Sequence, residues 1–175
     1  TKKIELDSQV DADEVEVEDE KIESFLHPDP FEIEIGYGLI PLVDASQGGN
    51  LLDRISTIRK SLAIELGMLI PPIRIRDNIQ LDSKKYIFKI HGIEIVSGDV
   101  MLDYYMVLNP DPDSNITGVD TIEPTFGLPA KWCTEEQKEI AEASGYTTVE
   151  PPAVIATHLM EVLRTHAYKL LDRQE

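Results

Sequence analysis

Four groups of residues have the side-chain types that reactive or ligand-holding sites use. Gln47-Gly48-Gly49-Asn50 precedes an apolar periodic segment, the place where a phosphate-cradling loop would open a helix. It lacks the Lys-Ser or Lys-Thr that closes a phosphate loop and has no GxGxxG frame, so it reads as a hinge. Cys133, beside Trp132, is the single cysteine; thiol–disulfide chemistry needs a resolving partner, and no CxxC supplies one. It reads as a small buried or half-buried hydrophobe. His158 and His166 lie eight apart, two turns of a helix, where a shared zinc asks for i, i+4, so core or capping roles are expected of both. Asp111, Asp113 and Asp120 offer oxygens without the spacing and glycine of a calcium loop, and read as solvated. No local motif joins a nucleophile to a base and an oxyanion donor, so no catalytic residue, metal or cofactor is assigned. The chain reads as a binding module. The alternative is an enzyme with scattered catalytic residues. A deep pocket with convergent titratable groups would mark the enzyme, and a shallow apolar patch the binding module.

The elements that position these residues follow from composition and periodicity. The chain has 175 residues, is 42% hydrophobic and carries a formal charge of −17. That is enough apolar material for a core, and enough negative charge to argue against nucleic acid or an anionic membrane as direct partner. No run approaches the ~18 apolar residues of a membrane span, so the piece is expected to be soluble. It is also expected to be part of a longer protein, because it has no initiator methionine and a helical pattern is still running near Arg173.

Acids crowd residues 1–30, as in the stretch Asp11 to Glu20, which predicts a disordered acidic linker. Within it Ile22, Phe25 and Leu26 fall at i, i+3 and i+4, so one helical turn would present all three together. Such a turn either packs on the chain's own first strand or docks on another surface.

Phe31, Ile33 and Ile35 alternate with Glu32 and Glu34, a strand with one buried face. After Gly36, Gly38 and an apolar run, Asn50 is placed to cap a helix, with Asp53 in its first turn. Leu51, Ile55, Ile58, Leu62 and Leu66 line one side of that helix, Gly67 ends it, and Pro71-Pro72 forbids its continuation. Ile73 to Arg76 alternates as the next strand. Tyr86 to Ile90 and Ile93 with Ile95 read as a hairpin turning at His91-Gly92. Tyr104 to Leu108 is a further strand, followed by a loop from Asn109. Thr121 to Lys131 reads as irregular or extended, because Pro124 and Pro129 exclude a helix. Thr134 caps a short helix, with Gln137 as capping-box partner and Gly145 as terminator. Tyr146 to Val149 is β-prone. Pro151 opens the last helix, whose stripe of Ile155, Leu159, Val162, Leu163, His166 and Leu170 should pack with the first helix on the opening sheet. The pattern is a compact α/β domain.

Several separated motifs carry a resemblance. Ile35-Gly-Tyr-Gly-Leu-Ile-Pro-Leu-Val-Asp44, Gln47-Gly-Gly-Asn-Leu-Leu-Asp-Arg-Ile55, Pro71-Pro-Ile-Arg-Ile-Arg-Asp-Asn78, Pro124-Thr-Phe-Gly-Leu-Pro-Ala-Lys-Trp132 and Val154-Ile-Ala-Thr-His-Leu159 occur in one order. From about Phe31 to Glu175 the chain resembles the cytoplasmic domain of the FlhA family, the export gate of the flagellar type III secretion apparatus. The injectisome homologue, which shares the Pro-Pro and Arg-Asp-Asn motifs, is the alternative. The resemblance implies a thioredoxin-like subdomain from 31–100 plus 151–172, with a small inserted α/β subdomain at 101–150. It implies a docking platform for flagellar export chaperones and their substrates, contact with other export-apparatus components, and self-association into a ring. The setting is the cytoplasmic face of the bacterial inner membrane, reached only through an N-terminal half that this sequence does not contain. The acidic linker of the family contacts a neighbouring subunit, which favours docking for Ile22, Phe25 and Leu26.

The same resemblance places a chaperone-binding dimple at Leu108, Pro110, Phe126 and Leu128, with Glu123 and Thr157 at its edge. Glu123 departs from the family's usual Asp, and the loop before Pro124 varies in length. Read alone, Phe126 lies between two prolines, where an aromatic either plugs a core or faces a partner; the resemblance favours the partner.

Overall fold

A computed structural model describes residues 29–171. The acidic segment with Ile22, Phe25 and Leu26 lies outside the described residues. Among the described residues, two four-stranded sheets, three helices and short 3-10 segments make a mixed α/β fold.

The first sheet grows from β1 (Phe31–Ile35), helix α1 (Leu51–Leu66) and β2 (Ile73–Asp77), with β2 parallel to β1. The strands β3 (Lys85–Ile90) and β4 (Ile93–Asp99) complete the order β2-β1-β3-β4. The β3–β4 turn has positive φ at both central residues, 50° at His91 and 80° at Gly92, the twist that a two-residue hairpin needs. The alternation in β1 has a second consequence. Phe31, Ile33 and Ile35 enter the core, while Glu32 meets Arg76 at 2.7 Å and Glu34 meets Lys89 at 2.6 Å on the opposite face. Burial raises the Glu34 carboxyl's pKa, but hydrogen bonds from Lys89 and Asn78 outweigh it and hold the group below the usual carboxylate range.

Asn50 stands at the start of α1 without capping it; its Oδ1 accepts from Arg54 Nε at 3.2 Å, so the expected side-chain cap is absent. A guanidinium one turn on competes for that oxygen. The stretch Gln47 to Asn50 is a largely exposed turn, with Asp44 accepting from Ser46 and Gln47 and no room for a side chain at Gly49. A Cβ there would meet the Pro41 carbonyl oxygen.

The second sheet is antiparallel throughout, in the order β6-β7-β5-β8, from β5 (Tyr105–Leu108), β6 (Val119–Ile122), β7 (Pro129–Cys133) and β8 (Thr148–Val149). The sequence reading of Thr121 to Lys131 as irregular or extended holds, and the structure adds what it did not specify: the extended ends, in β6 and β7, pair as a hairpin around an irregular loop. Proline excludes a helix but is tolerated as the first residue of a strand, which is where Pro129 sits in β7. Helix α2 (Glu135–Ala143) begins at Thr134, whose hydroxyl accepts from Gln137 N. Gln137 does not complete the capping box; its Oε1 accepts from Thr117 N at 3.0 Å and ties the preceding loop to α2.

Helix α3 (Pro151–Leu171) returns to pack on α1, and Ile155, Leu159, Val162, Leu163 and Leu170 are buried as expected, with His166 half-buried. Met106, Ala130 and Trp132 of the second sheet join the same apolar cluster. A smaller cluster of Val107, Ile116, Cys133 and Ala141 lies under α2. Side chains from successive residues of β5 thus enter different clusters, so α3 and α2 lie against opposite faces of the sheet.

Candidate binding site

The loop from β6 to β7 folds upon itself. Glu123 N donates to the Leu128 carbonyl at 2.8 Å, Gly127 N donates to the Glu123 carbonyl at 2.9 Å, and Gly127 takes φ +70°, the left-handed region that glycine enters without strain. The Glu123 side chain turns inward. Its two oxygens accept from Thr125 N at 2.9 Å and from Phe126 N at 2.7 Å, and the residue is only 6% exposed. Phe126 is left 68% exposed at the tip, so it does not plug the core of the described residues.

Beneath Phe126 is an apolar dimple of about 100 Å³, lined by Met106 and Leu108 from β5, Leu128 from the loop, Val149 from β8, and Val154 and Thr157 from α3, with Phe126 and Glu123. Register explains the convergence. Met106 lies opposite Trp132 and Leu108 opposite Ala130, so all four share the face turned toward α3. Glu123 is the one ionisable side chain in this lining, and both its oxygens are engaged. The dimple has no pair of groups for acid–base work and is smaller than a site for a drug-sized molecule, which takes roughly 300 Å³ or more. It suits one or two apolar side chains from a protein.

The remaining residues of chemical type are occupied elsewhere. His158 follows Thr157 on α3 but turns into the core, where Nδ1 and Tyr86 Oη share a hydrogen bond of 2.7 Å beside Phe88. His166 Nδ1 lies 2.9 Å from the Val162 carbonyl one turn back. Cys133 is buried; burial pushes its thiol pKa up against the pull of Lys131. Asp111, Asp113 and Asp120 are exposed, as expected, and Asp111 also accepts from the Tyr146 hydroxyl at 2.9 Å. Among the described residues, no group of three or more His, Cys, Asp and Glu is placed to hold a metal ion.

Burial lowers the pKa of His158, and the Glu123 carboxylate pushes it only part of the way back. The native state therefore binds less proton at this residue than the unfolded chain, whose value is near 6.5. Stability from His158 is complete above that pH and falls as the pH drops from 6.5 toward the lower folded value. Melting temperatures measured from pH 8 to 5 should decline in that window for the natural chain, and decline less for His158→Gln. Equal declines in both would rule out His158 as a source of the effect.

The FHIPEP family model matches residues 1–175. The chain belongs to the FHIPEP family. This FHIPEP chain is 49% identical over 171 residues to the flagellar biosynthesis protein FlhA of Bacillus subtilis, covering 97% of the chain and 25% of that protein. It is 43% identical over 148 residues to FlhA of Escherichia coli K12, covering 84% of the chain and 21% of that protein. It thus spans about a quarter of the length of these curated relatives. Among solved structures, the Chlamydia pneumoniae CdsV protein superposes with a TM-score of 0.70 at 24% identity, over 83% of this chain and 45% of that one. A cytoplasmic domain of Salmonella InvA does so at 0.60 and 20%, over 83% and 84%. These likenesses show the fold.

Of the residues singled out from the sequence of this FHIPEP chain, Leu108, Glu123, Phe126, Leu128 and Thr157 come together around the dimple, and Pro110 does not line it. Pro110 follows Asn109, whose N–H donates to the Pro129 carbonyl at the sheet end. Glu123 is buried under the loop rather than placed at an edge. Met106, Val149 and Val154 were missed. Their signal was present: Met106 keeps the two-residue period with Leu108, and Val154 precedes Thr157 by three residues on one helix face.

Proposed function

We propose that this chain is part of the cytoplasmic docking platform of a flagellar type III export gate, at the inner face of the bacterial inner membrane. It receives export chaperones with their substrates and acts as an apparatus component rather than an enzyme. The observation that carries the reading is Phe126, held 68% exposed over an apolar dimple. An aromatic anchor beside a small apolar recess is the usual form of an interface hot spot. The dimple is the chaperone site, with Leu108, Phe126, Leu128 and Thr157 in contact with the partner and Pro110 at its periphery. The flagellar branch is favoured because the chain is 49% and 43% identical to the FlhA proteins of Bacillus subtilis and Escherichia coli. No helix among the described residues is long and apolar enough to cross a membrane.

Residues 31–100 with 151–172 form one subdomain and 101–150 the inserted second, and Ile22, Phe25 and Leu26 dock on a folded surface in the assembled protein. Self-association into a ring is part of the same reading. It is supported by the fold shared with nonameric EPEC SctV-C, at a TM-score of 0.55 and 13% identity. The test is calorimetric titration of the chain with the organism's own export chaperones, cargo-free and cargo-bound. Saturable binding is expected, and its absence with correctly folded protein would remove the reading.

A further inference from the structure

We propose that Glu123 is the positioning residue of the docking site: its carboxylate, by accepting the Thr125 and Phe126 amides, holds the loop backbone that carries the Phe126 ring in its binding conformation before any partner arrives. The inference rests on the docking reading above and assigns Glu123 a role other than direct contact. At 6% exposure, with each oxygen already accepting one N–H at 2.9 and 2.7 Å, the carboxylate has little left to offer a partner. Two neighbouring amides pointing into one concavity form a natural anion cradle, and charge-assisted bonds to them are about twice as strong as neutral ones. A glutamine has one oxygen, and its amide nitrogen would face one of the two N–H donors. The rest of the loop offers few substitutes. It closes through the two backbone bonds between Glu123, Gly127 and Leu128, and the Thr125 hydroxyl is buried without a partner. Ordering beforehand the loop that carries one aromatic anchor is worth roughly two- to tenfold in affinity.

The test uses the whole chain with Glu123→Gln, with Gly127→Ala, and with both. Gly127→Ala strains the loop at φ +70° without touching the carboxylate, so it reports what loop order alone is worth, and Glu123→Asp, which keeps a carboxylate on a shorter arm, is read where Glu123→Gln fails to fold. Amide exchange is read at Phe126 in the free protein, and affinity is read against an export chaperone. Each single variant should speed exchange at Phe126 roughly tenfold or more and weaken binding roughly two- to tenfold, with the double variant little worse than either. Weakened binding by Glu123→Gln with unchanged exchange would overturn the proposal, because the carboxylate would then touch the partner itself. Faster exchange with unchanged affinity would overturn it as well. If Phe126→Ala leaves binding intact, it is the docking reading that fails, and the exchange data alone decide whether Glu123 orders the loop.

Discussion

Phe126→Ala should melt as the natural chain does and bind export chaperones at least tenfold more weakly. The ring is 68% exposed, so truncation removes little buried area and leaves no cavity in the core. Its contribution is made only when a partner covers it. Truncating such an anchor typically costs about 2 kcal/mol or more, which is roughly a thirtyfold loss of affinity. Thr157→Met should act on the same site from the helix side. Thr157 is exposed on α3 at the rim of the dimple, so a longer side chain there fills the recess without disturbing the helix. Isothermal titration and thermal melting on the same samples separate the two properties. A Phe126→Ala chain that melts many degrees lower while its folded fraction binds normally would make Phe126 a structural residue.

Trp132→Ala should show the reverse balance. Trp132 is 3% exposed and joins Met106 and Ala130 in the core cluster that links the second sheet to α3. Replacing a buried tryptophan by alanine costs about 3–5 kcal/mol, against a total stability on the order of 5–15 kcal/mol for a domain. The expected fall in melting temperature is roughly 10–20 °C. Binding should fall with it, because Met106, opposite Trp132 in the ladder, is part of the dimple floor. Calorimetric or circular-dichroism melts check the first effect. A loss of only a few degrees would mean that the second sheet is not held to α3 through this side chain.

How far the sequence reached depends on whether the deciding interactions are local. The β1 alternation, the apolar stripe of α1, its Gly67 terminator and the His91-Gly92 turn were readable because each rests on residues a few positions apart. The β6–β7 hairpin was not, because Pro124 and Pro129 mask a pairing that only Val119 to Ile122 opposite Pro129 to Trp132 reveals. The Asn50 cap failed because a side chain that can cap can also accept from an arginine one turn on. The dimple was half legible. Its lining comes from three separated stretches, so residues such as Val149, which no motif marks, become visible only when β8 is set against β5. Phe126 between two prolines left two outcomes open, and the inward turn of Glu123, which settled its exposure, depends on amides two and three residues away.

The claim that the apolar dimple is the docking surface is tested most directly by following the methyl spectrum of the chain through the chaperone titration. Leu108, Leu128, Val149 and Val154 should shift or broaden together, while Ile73 and Ile75 on the edge strand β2 stay unchanged. Saturable binding that leaves those four methyl groups unmoved and perturbs another surface would contradict it.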